Sequence, residues 1–277
     1  MSAGGSPVPP PVKQALGRAA AALLPQCRFE RAVFLLGHMR CGSTALSRVL
    51  CAHPEISGYG EAHVAYTHRA ALGGLVLNQA RRGAWRPGAR LLHDKLLHNR
   101  YDRAAPPGFL QARAIFLVRP PEPAIRSIRH LFRSLGSGEY ATDALAADYY
   151  EDRLRGLAAL WQAFPAERRI GFHYAELTED PATVLARLTG FLGLTTPLAN
   201  DYAARGPLAP GAGDPLAAHR FTAIVAAPLA TSLTSAARPP ALPPSRLATL
   251  DAAFSHLTAR FAAIPAPPPE QIFFTKS

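Results

Sequence analysis

Residues 31–54 read RAVFLLGHMRCGSTALSRVLCAHP, and this stretch restricts the fold more than any other. RAVFLL is a run of apolar, β-branched and aromatic residues, the pattern of a strand buried on both faces. It ends at Gly37. STALSRVLCA then sets Leu46, Val49 and Leu50 on one helical face, and Pro54 stops the helix. Between strand and helix stand Gly37, four residues, Gly42, Ser43 and Thr44. This is the frame of a phosphate-binding loop, with Ser43 where such loops carry lysine. Backbone N–H groups from Cys41 to Ala45, at a helix N-terminus, still converge on an anion, and the helix dipole helps them. Ser43 and Thr44 add hydroxyls, and Arg40 adds positive charge within the turn. What is lost is the reach to the last phosphate of a nucleoside triphosphate.

Strands and helices alternate along the rest of the chain. VKQALGRAAAALL (12–24) predicts a short helix ahead of the first strand, and residues 62–82 predict another. ARLLHDKL (89–96), RAIFLVR (113–119) and RIGFHYAEL (169–177) read as strands. EPAIRSIRHLFRSL (122–135) is an amphipathic helix, apolar at Ala124, Ile128 and Leu131 and basic at Arg126, Arg129 and Arg133. Residues 142–163 and PATVLARLTGFLGL (181–194) read as further helices. The alternation predicts an α/β fold, a three-layer parallel sheet with helices on both faces. Beyond residue 196 the pattern decays into Pro-, Ala- and Gly-rich sequence, with a last helix from about Ser245 to Ala263. Residues 1–11 predict a disordered N-terminus, and 12–277 a single domain with its core over about 30–195, a less regular region over 196–264 and a tail over 265–277.

The net charge of +11 comes almost wholly from arginine: of 30 basic residues, only Lys13, Lys95 and Lys276 are lysines. A codon usage that favours arginine and an anionic ligand both account for this, and the two are compatible. The arginines are scattered, with no aromatic-rich basic stripe, so no nucleic-acid partner is expected. Cys27, Cys41 and Cys51 form no C-x-x-C pair. Neither a disulfide framework nor a metal site is expected, and the reading is a cytoplasmic protein. No apolar run approaches the ~20 residues of a membrane span.

HMRCGSTALSRVLCAHPEISGYGEAH resembles the phosphosulfate-binding segment of the sulfotransferases that use 3′-phosphoadenosine 5′-phosphosulfate (PAPS), and among them the carbohydrate-, tyrosylprotein- and bacterial-type members. The residues that carry the resemblance are Arg40, Gly42, Ser43, Thr44, His53, Pro54 and Glu61. FLVRPPEPAIRSI is similar to the family's 3′-phosphate motif, an arginine at a strand end and a serine eight positions on, here Arg119 and Ser127. HYAELTEDPATVLARLTGFLGL is similar to a third family stretch. The similarity spans roughly residues 32–194 and implies a P-loop NTPase-like fold, with the region after 196 on the acceptor side.

The resemblance implies PAPS as co-substrate, bound by Arg40, Cys41, Gly42, Ser43, Thr44, Ala45, Arg119 and Ser127. The acceptor would be a hydroxyl on a small molecule, carbohydrate or protein. Sulfuryl transfer is an in-line displacement that spreads charge over peripheral oxygens, so arginine and lysine can supply the charge and no metal is expected. The candidate catalytic residues are Glu61 as base, Arg40, and Lys95, which sits in LLHDKLLH with apolar residues on both sides. His93 and His98 flank Lys95, and either could serve as base in place of Glu61. Glu176 and Asp180 read as anchors of a strand-to-helix turn, and Arg220, in GAGDPLAAHRF (211–221), as a phosphate contact on a closing segment. The alternative is a P-loop kinase for a nucleotide or small molecule, against which stand the missing loop lysine and a strand that ends in Arg119 where an acid would hold magnesium.

Overall fold

The computed structural model describes residues 10–203, 221–225 and 239–262. In chain order the elements are α1 (Pro10–Leu23), β1 (Ala32–Gly37), α2 (Ser43–Ala52), β2 (Ile56–Ser57), α3 (Ala71–Arg81), β3 (Leu91–Leu96), α4 (Asn99–Asp102), β4 (Arg113–Val118), α5 (Pro121–Ser134), α6 (Asp143–Ala163), β5 (Arg169–His173), α7 (Tyr174–Glu179), α8 (Pro181–Leu192) and α9 (Pro244–Ala262). The five strands form one sheet in the order β2-β3-β1-β4-β5, with every pair parallel. The chain leaves β1 toward one side of the sheet and crosses to the other only at β4. The carboxyl end of β1 is therefore the topological switch point, where open α/β sheets hold ligands.

The sheet is buried on both faces because its strands are apolar at successive positions. Phe34 and Leu36 of β1, with Phe116 and Val118 of β4, pack on the side of α3, α5, α6 and α9. Val33, Leu35, Ile115 and Leu117 point the other way, against α2, α7 and α8. This is the expected three-layer arrangement.

Three local readings of the sequence need correction. The helix expected over 62–82 spans only Ala71–Arg81. The residues before it bond outward instead: the Ala62 N–H donates to Asp94 Oδ1 at 2.8 Å and the Tyr66 N–H to the Tyr101 carbonyl at 2.8 Å. The strand expected over 169–177 stops at His173, and YAEL is helical. There the Glu176 carboxylate accepts from the His173 N–H at 3.0 Å, closing a helix N-terminus. Asp180 caps α8 by accepting from the Thr183 N–H at 3.0 Å. Last, the short strand β2 was not foreseen from two residues of sequence. The N-terminal residues 1–9, Arg220 and the rest of 211–220, much of the Pro-rich stretch 197–244 and the tail 265–277 lie outside the described residues.

One charged side chain lies within the apolar stripe of α6. Arg153 is 1% exposed between Tyr150, Leu154 and Leu157. Its Nε donates to the Gly37 carbonyl at 2.8 Å and its Nη2 to the Leu96 carbonyl at 2.9 Å, so it bridges the ends of β1 and β3. Nη1 donates to Asn99 Oδ1 at 2.8 Å and Asp102 Oδ1 at 2.9 Å, which adds α4. Removing one partner of such a buried pair leaves the other charge uncompensated. Arg153→Leu is expected to lower stability by about 3–5 kcal/mol in denaturant unfolding. The double change Arg153→Leu, Asp102→Leu should cost less than the single one.

Candidate active site

The loop between β1 and α2 is built by close backbone approach. A Cβ at Gly37 would lie 2.7 Å from the Leu117 carbonyl oxygen, and Gly42 takes φ 90 against the Tyr174 ring. Gly42 caps α2 without a side chain, and N–H groups of a first helical turn have no partner inside the helix. Arg40 takes φ 65, a left-handed conformation that is costly for a long side chain. Among the described residues, the only other non-glycine with positive φ is His63, at φ 53.

His38 fastens the loop to the neighbouring strand. Its Nε2 accepts from the Arg119 N–H at 2.9 Å, and its Nδ1 lies 2.8 Å from the Met39 carbonyl, which fixes the neutral tautomer with the proton on Nδ1. Burial holds this imidazole down at about 4. Arg119 in turn donates from Nη1 to the Arg40 carbonyl at 3.3 Å and lies over the Tyr174 ring, 4.3 Å from its centroid. The Arg40 Nε donates to Ser127 Oγ at 2.9 Å. Arg40, Arg119 and Ser127 thus meet on one flank of the loop. Cys41 and Ser43 are buried beneath it, and the Cys41 thiol packs against Gly37.

Lys95 and Glu61 meet on the other flank. Lys95 is 2% exposed at the end of β3, and its Nζ donates to Thr44 Oγ1 at 3.3 Å. Glu61 Oε2 lies 3.7 Å from the same Nζ, and Glu61 Oε1 lies 3.5 Å from His63 Nδ1. The positive charge absent from position 43 thus reaches the loop from the adjacent strand. His93 does not share this position. It is buried, with Nε2 accepting from Ser47 Oγ at 2.8 Å and Nδ1 toward the Val33 carbonyl at 3.2 Å. His98 rests on the Tyr101 and Tyr149 rings, and burial pulls its imidazole down to about 4.

Asp94 was missed in the sequence, although it adjoins Lys95. Its Oδ1 accepts from the N–H groups of Ala62 and Lys95, both at 2.8 Å, and its Oδ2 from the Tyr66 hydroxyl at 2.8 Å. It ties the segment that carries Glu61 to the strand that carries Lys95. A lone acid among LLH and LL is the signal that could have marked it. Tyr174, also missed, touches both Gly42 and Arg119. Among the described residues no group of three His, Cys, Asp or Glu side chains is placed to hold a metal ion, and no helix is long and apolar enough to cross a membrane.

Residues 68–197 match a family model described as the sulfotransferase family. This stretch, a little under half of the chain, is similar to the sulfotransferase family. The matched stretch holds Lys95, Arg119 and Ser127, whereas the loop and Glu61 lie upstream of it. The sulfotransferase domain of the olefin synthase from Synechococcus PCC 7002 shares the fold, with 22% identity, 81% of this chain and 94% of that chain covered and a TM-score of 0.57. A sulfotransferase domain from the curacin biosynthetic pathway aligns at 20% identity over 85% of this chain and 98% of its own, with a TM-score of 0.49. A mouse sulfotransferase complexed with PAP aligns at 17% identity over 66% of this chain and 64% of its own, with a TM-score of 0.45. No curated protein sequence matches the chain.

The Asp94 carboxyl gives this chain a testable pH dependence. Burial pushes it up to about 7 from its ordinary 3.8, against the pull of its three hydrogen bonds. A carboxyl raised on folding favours the folded state below the unfolded value and loses that contribution as pH rises through the folded one. The span from 3.8 to about 7 corresponds to roughly 4 kcal/mol at most. Relative to Asp94→Asn, the wild-type denaturant midpoint should therefore fall between pH 4 and pH 7. A constant difference across that window would contradict the assignment.

Proposed function

We propose that the chain is a PAPS-dependent sulfotransferase that moves a sulfuryl group to an acceptor hydroxyl by in-line displacement. The observation that carries this reading is the meeting of Glu61, Lys95 and Thr44 at one flank of the anion loop, with Arg40, Arg119 and Ser127 at the other. The donor set fits a nucleotide with two separate anionic ends. The first-turn amides and Arg40 suit the 5′ side. Arg119 and Ser127 suit a 3′-phosphate, since a guanidinium and a hydroxyl are a strong pair for a doubly charged group. When bound, PAPS supplies an activated sulfuryl group and a stable leaving phosphate.

The chain's own residues divide the remaining work. Glu61 accepts the proton of the attacking hydroxyl. Its hold on Lys95 keeps the carboxylate oriented, and Asp94 fixes the backbone beside it. The Lys95 ammonium lies between that carboxylate and the loop, where negative charge builds in the transition state. Buried at 2% exposure, it is poorly screened by water. Arg119, anchored through His38 and the Arg40 carbonyl, needs little reorganisation to hold an anion. A kinase reading is not favoured. β4 ends in Arg119 with no acid for magnesium, and Ser43 leaves the loop without its phosphate-reaching lysine.

Transfer of labelled sulfuryl from PAPS into an acceptor-rich extract tests the proposal. Glu61→Gln should lower kcat about 10²–10⁴-fold, and Lys95→Met about 10²–10³-fold. Arg119→Ala should mainly raise the KM for PAPS. Wild-type transfer by both Glu61→Gln and Arg40→Ala would remove the assignment.

A further inference from the structure

The three arginines along α5 have different partners. Arg129 Nη1 lies 2.7 Å from both carboxylate oxygens of Asp143, and Arg133 Nε donates to the Ala141 carbonyl at 2.9 Å. Arg126, the residue before Ser127, has no such bond. Its Nη1 stands 3.9 Å from Glu122 Oε1, beyond hydrogen-bond length, and its side chain is only 17% exposed. Its Nε–H is buried and has no acceptor among the described residues. A buried donor left unpaired is costly, so each one asks for an explanation, and a ligand is among the few available. The side chain also leans toward the anion site. Glu122 lies one helical turn back, so Arg126 points along α5 toward its N-terminus, which starts at Pro121, two residues after Arg119. There the guanidinium joins a site that is already cationic. Burial holds the Arg119 guanidinium below its ordinary range, and the charges of Arg40 and Arg126 push it the same way.

Resting on the sulfotransferase reading above, we infer that Arg126 is a second guanidinium for the 3′-phosphate and sets the preference for that group over a free 3′-hydroxyl. A 3′-phosphate at neutral pH carries nearly two negative charges. Arg119 and Ser127 alone answer it with one positive charge and one hydroxyl. Arg126 brings the second charge, together with an Nε–H that no group of the described residues engages. Its neighbouring acid, Glu122, is 45% exposed and 3.9 Å away, so that pairing is weak and a doubly charged phosphate displaces it. A plain surface ion pair would explain the approach of Glu122 and leave the buried Nε–H unexplained.

The test titrates 3′-phosphoadenosine 5′-phosphate and adenosine 5′-phosphate calorimetrically into wild type, Arg126→Gln and Glu122→Gln, with the ratio of the two affinities as the readout. Arg126→Gln should weaken the 3′-phosphorylated ligand about 10–100-fold and leave adenosine 5′-phosphate unchanged. Glu122→Gln removes the competing carboxylate and should raise the ratio about two- to fivefold. An unchanged ratio in Arg126→Gln, or an equal loss of both ligands, would overturn the inference, since a role in folding or in general charge moves both ligands together. If Arg126→Gln does not fold, Glu122→Gln decides alone, and a ratio at or below that of wild type overturns the inference. Wild type separates the two readings. If it binds both ligands equally, the sulfotransferase reading fails. If it prefers the 3′-phosphorylated ligand and Arg126→Gln keeps that preference, only the role of Arg126 fails.

Discussion

Arg153 is the largest fully buried side chain among the described residues, and its guanidinium joins the carbonyl ends of β1 and β3 to α4 and α6. Those two strand ends carry the anion loop and Lys95. If they parted by an ångström, the ammonium would lose Thr44 and the loop would lose its second source of charge. A neutral side chain of similar size would fill the space without meeting four acceptors. The charge is therefore used for geometry: five fixed donors on a plane define where two backbones, a helix turn and a carboxylate must lie. Interiors seldom accept a guanidinium on other terms.

From that fixed frame the site is assembled in pairs. His38 joins the loop to Arg119, Arg40 joins the loop to Ser127, Lys95 joins Thr44 to Glu61, and Asp94 joins the Glu61 segment to β3. Each link spans two elements, and each uses a side chain buried or nearly so. Arg40 and His63, the two strained backbones, stand at the two flanks. The loop thus keeps the backbone form of a triphosphate site while drawing its charge from an adjacent strand and from inside the turn. On the proposed reading, that relocation would shorten the reach along a nucleotide and leave room for a carboxylate beside the transferred group.

Much of this was legible in the sequence. The strand around Phe34 is apolar throughout and that around Phe116 is apolar after Arg113, so their burial on both faces followed from composition alone. Gly37 and Gly42 marked a turn that only close backbone approach explains, and the eight-residue interval from Arg119 to Ser127 spans a strand end and two turns of helix. What stayed hidden depends on contacts distant in sequence. Asp94 and Tyr66 are 28 positions apart, and nothing local says that one hydroxyl needs the other's carboxylate. The 62–70 segment has helical spacing, but backbone bonds to Asp94 and Tyr101 overrule it. Arg153 could have been suspected as a charge in an apolar stripe, yet its partners, Gly37, Leu96 and Asp102, are fixed by topology. The reading of the region after 196 rests on sequence alone.

The central claim is that the displaced lysine and the Arg119–Ser127 pair make this loop a site for a 3′-phosphorylated nucleotide. Calorimetric titration compares 3′-phosphoadenosine 5′-phosphate, adenosine 5′-phosphate and Mg-ATP on the wild-type chain. Charge-assisted hydrogen bonds to the 3′-phosphate predict that the first binds about 10–100-fold more tightly than the second, with Mg-ATP weaker than the first. Equal affinity with and without the 3′-phosphate, or tighter binding of Mg-ATP, would contradict the account.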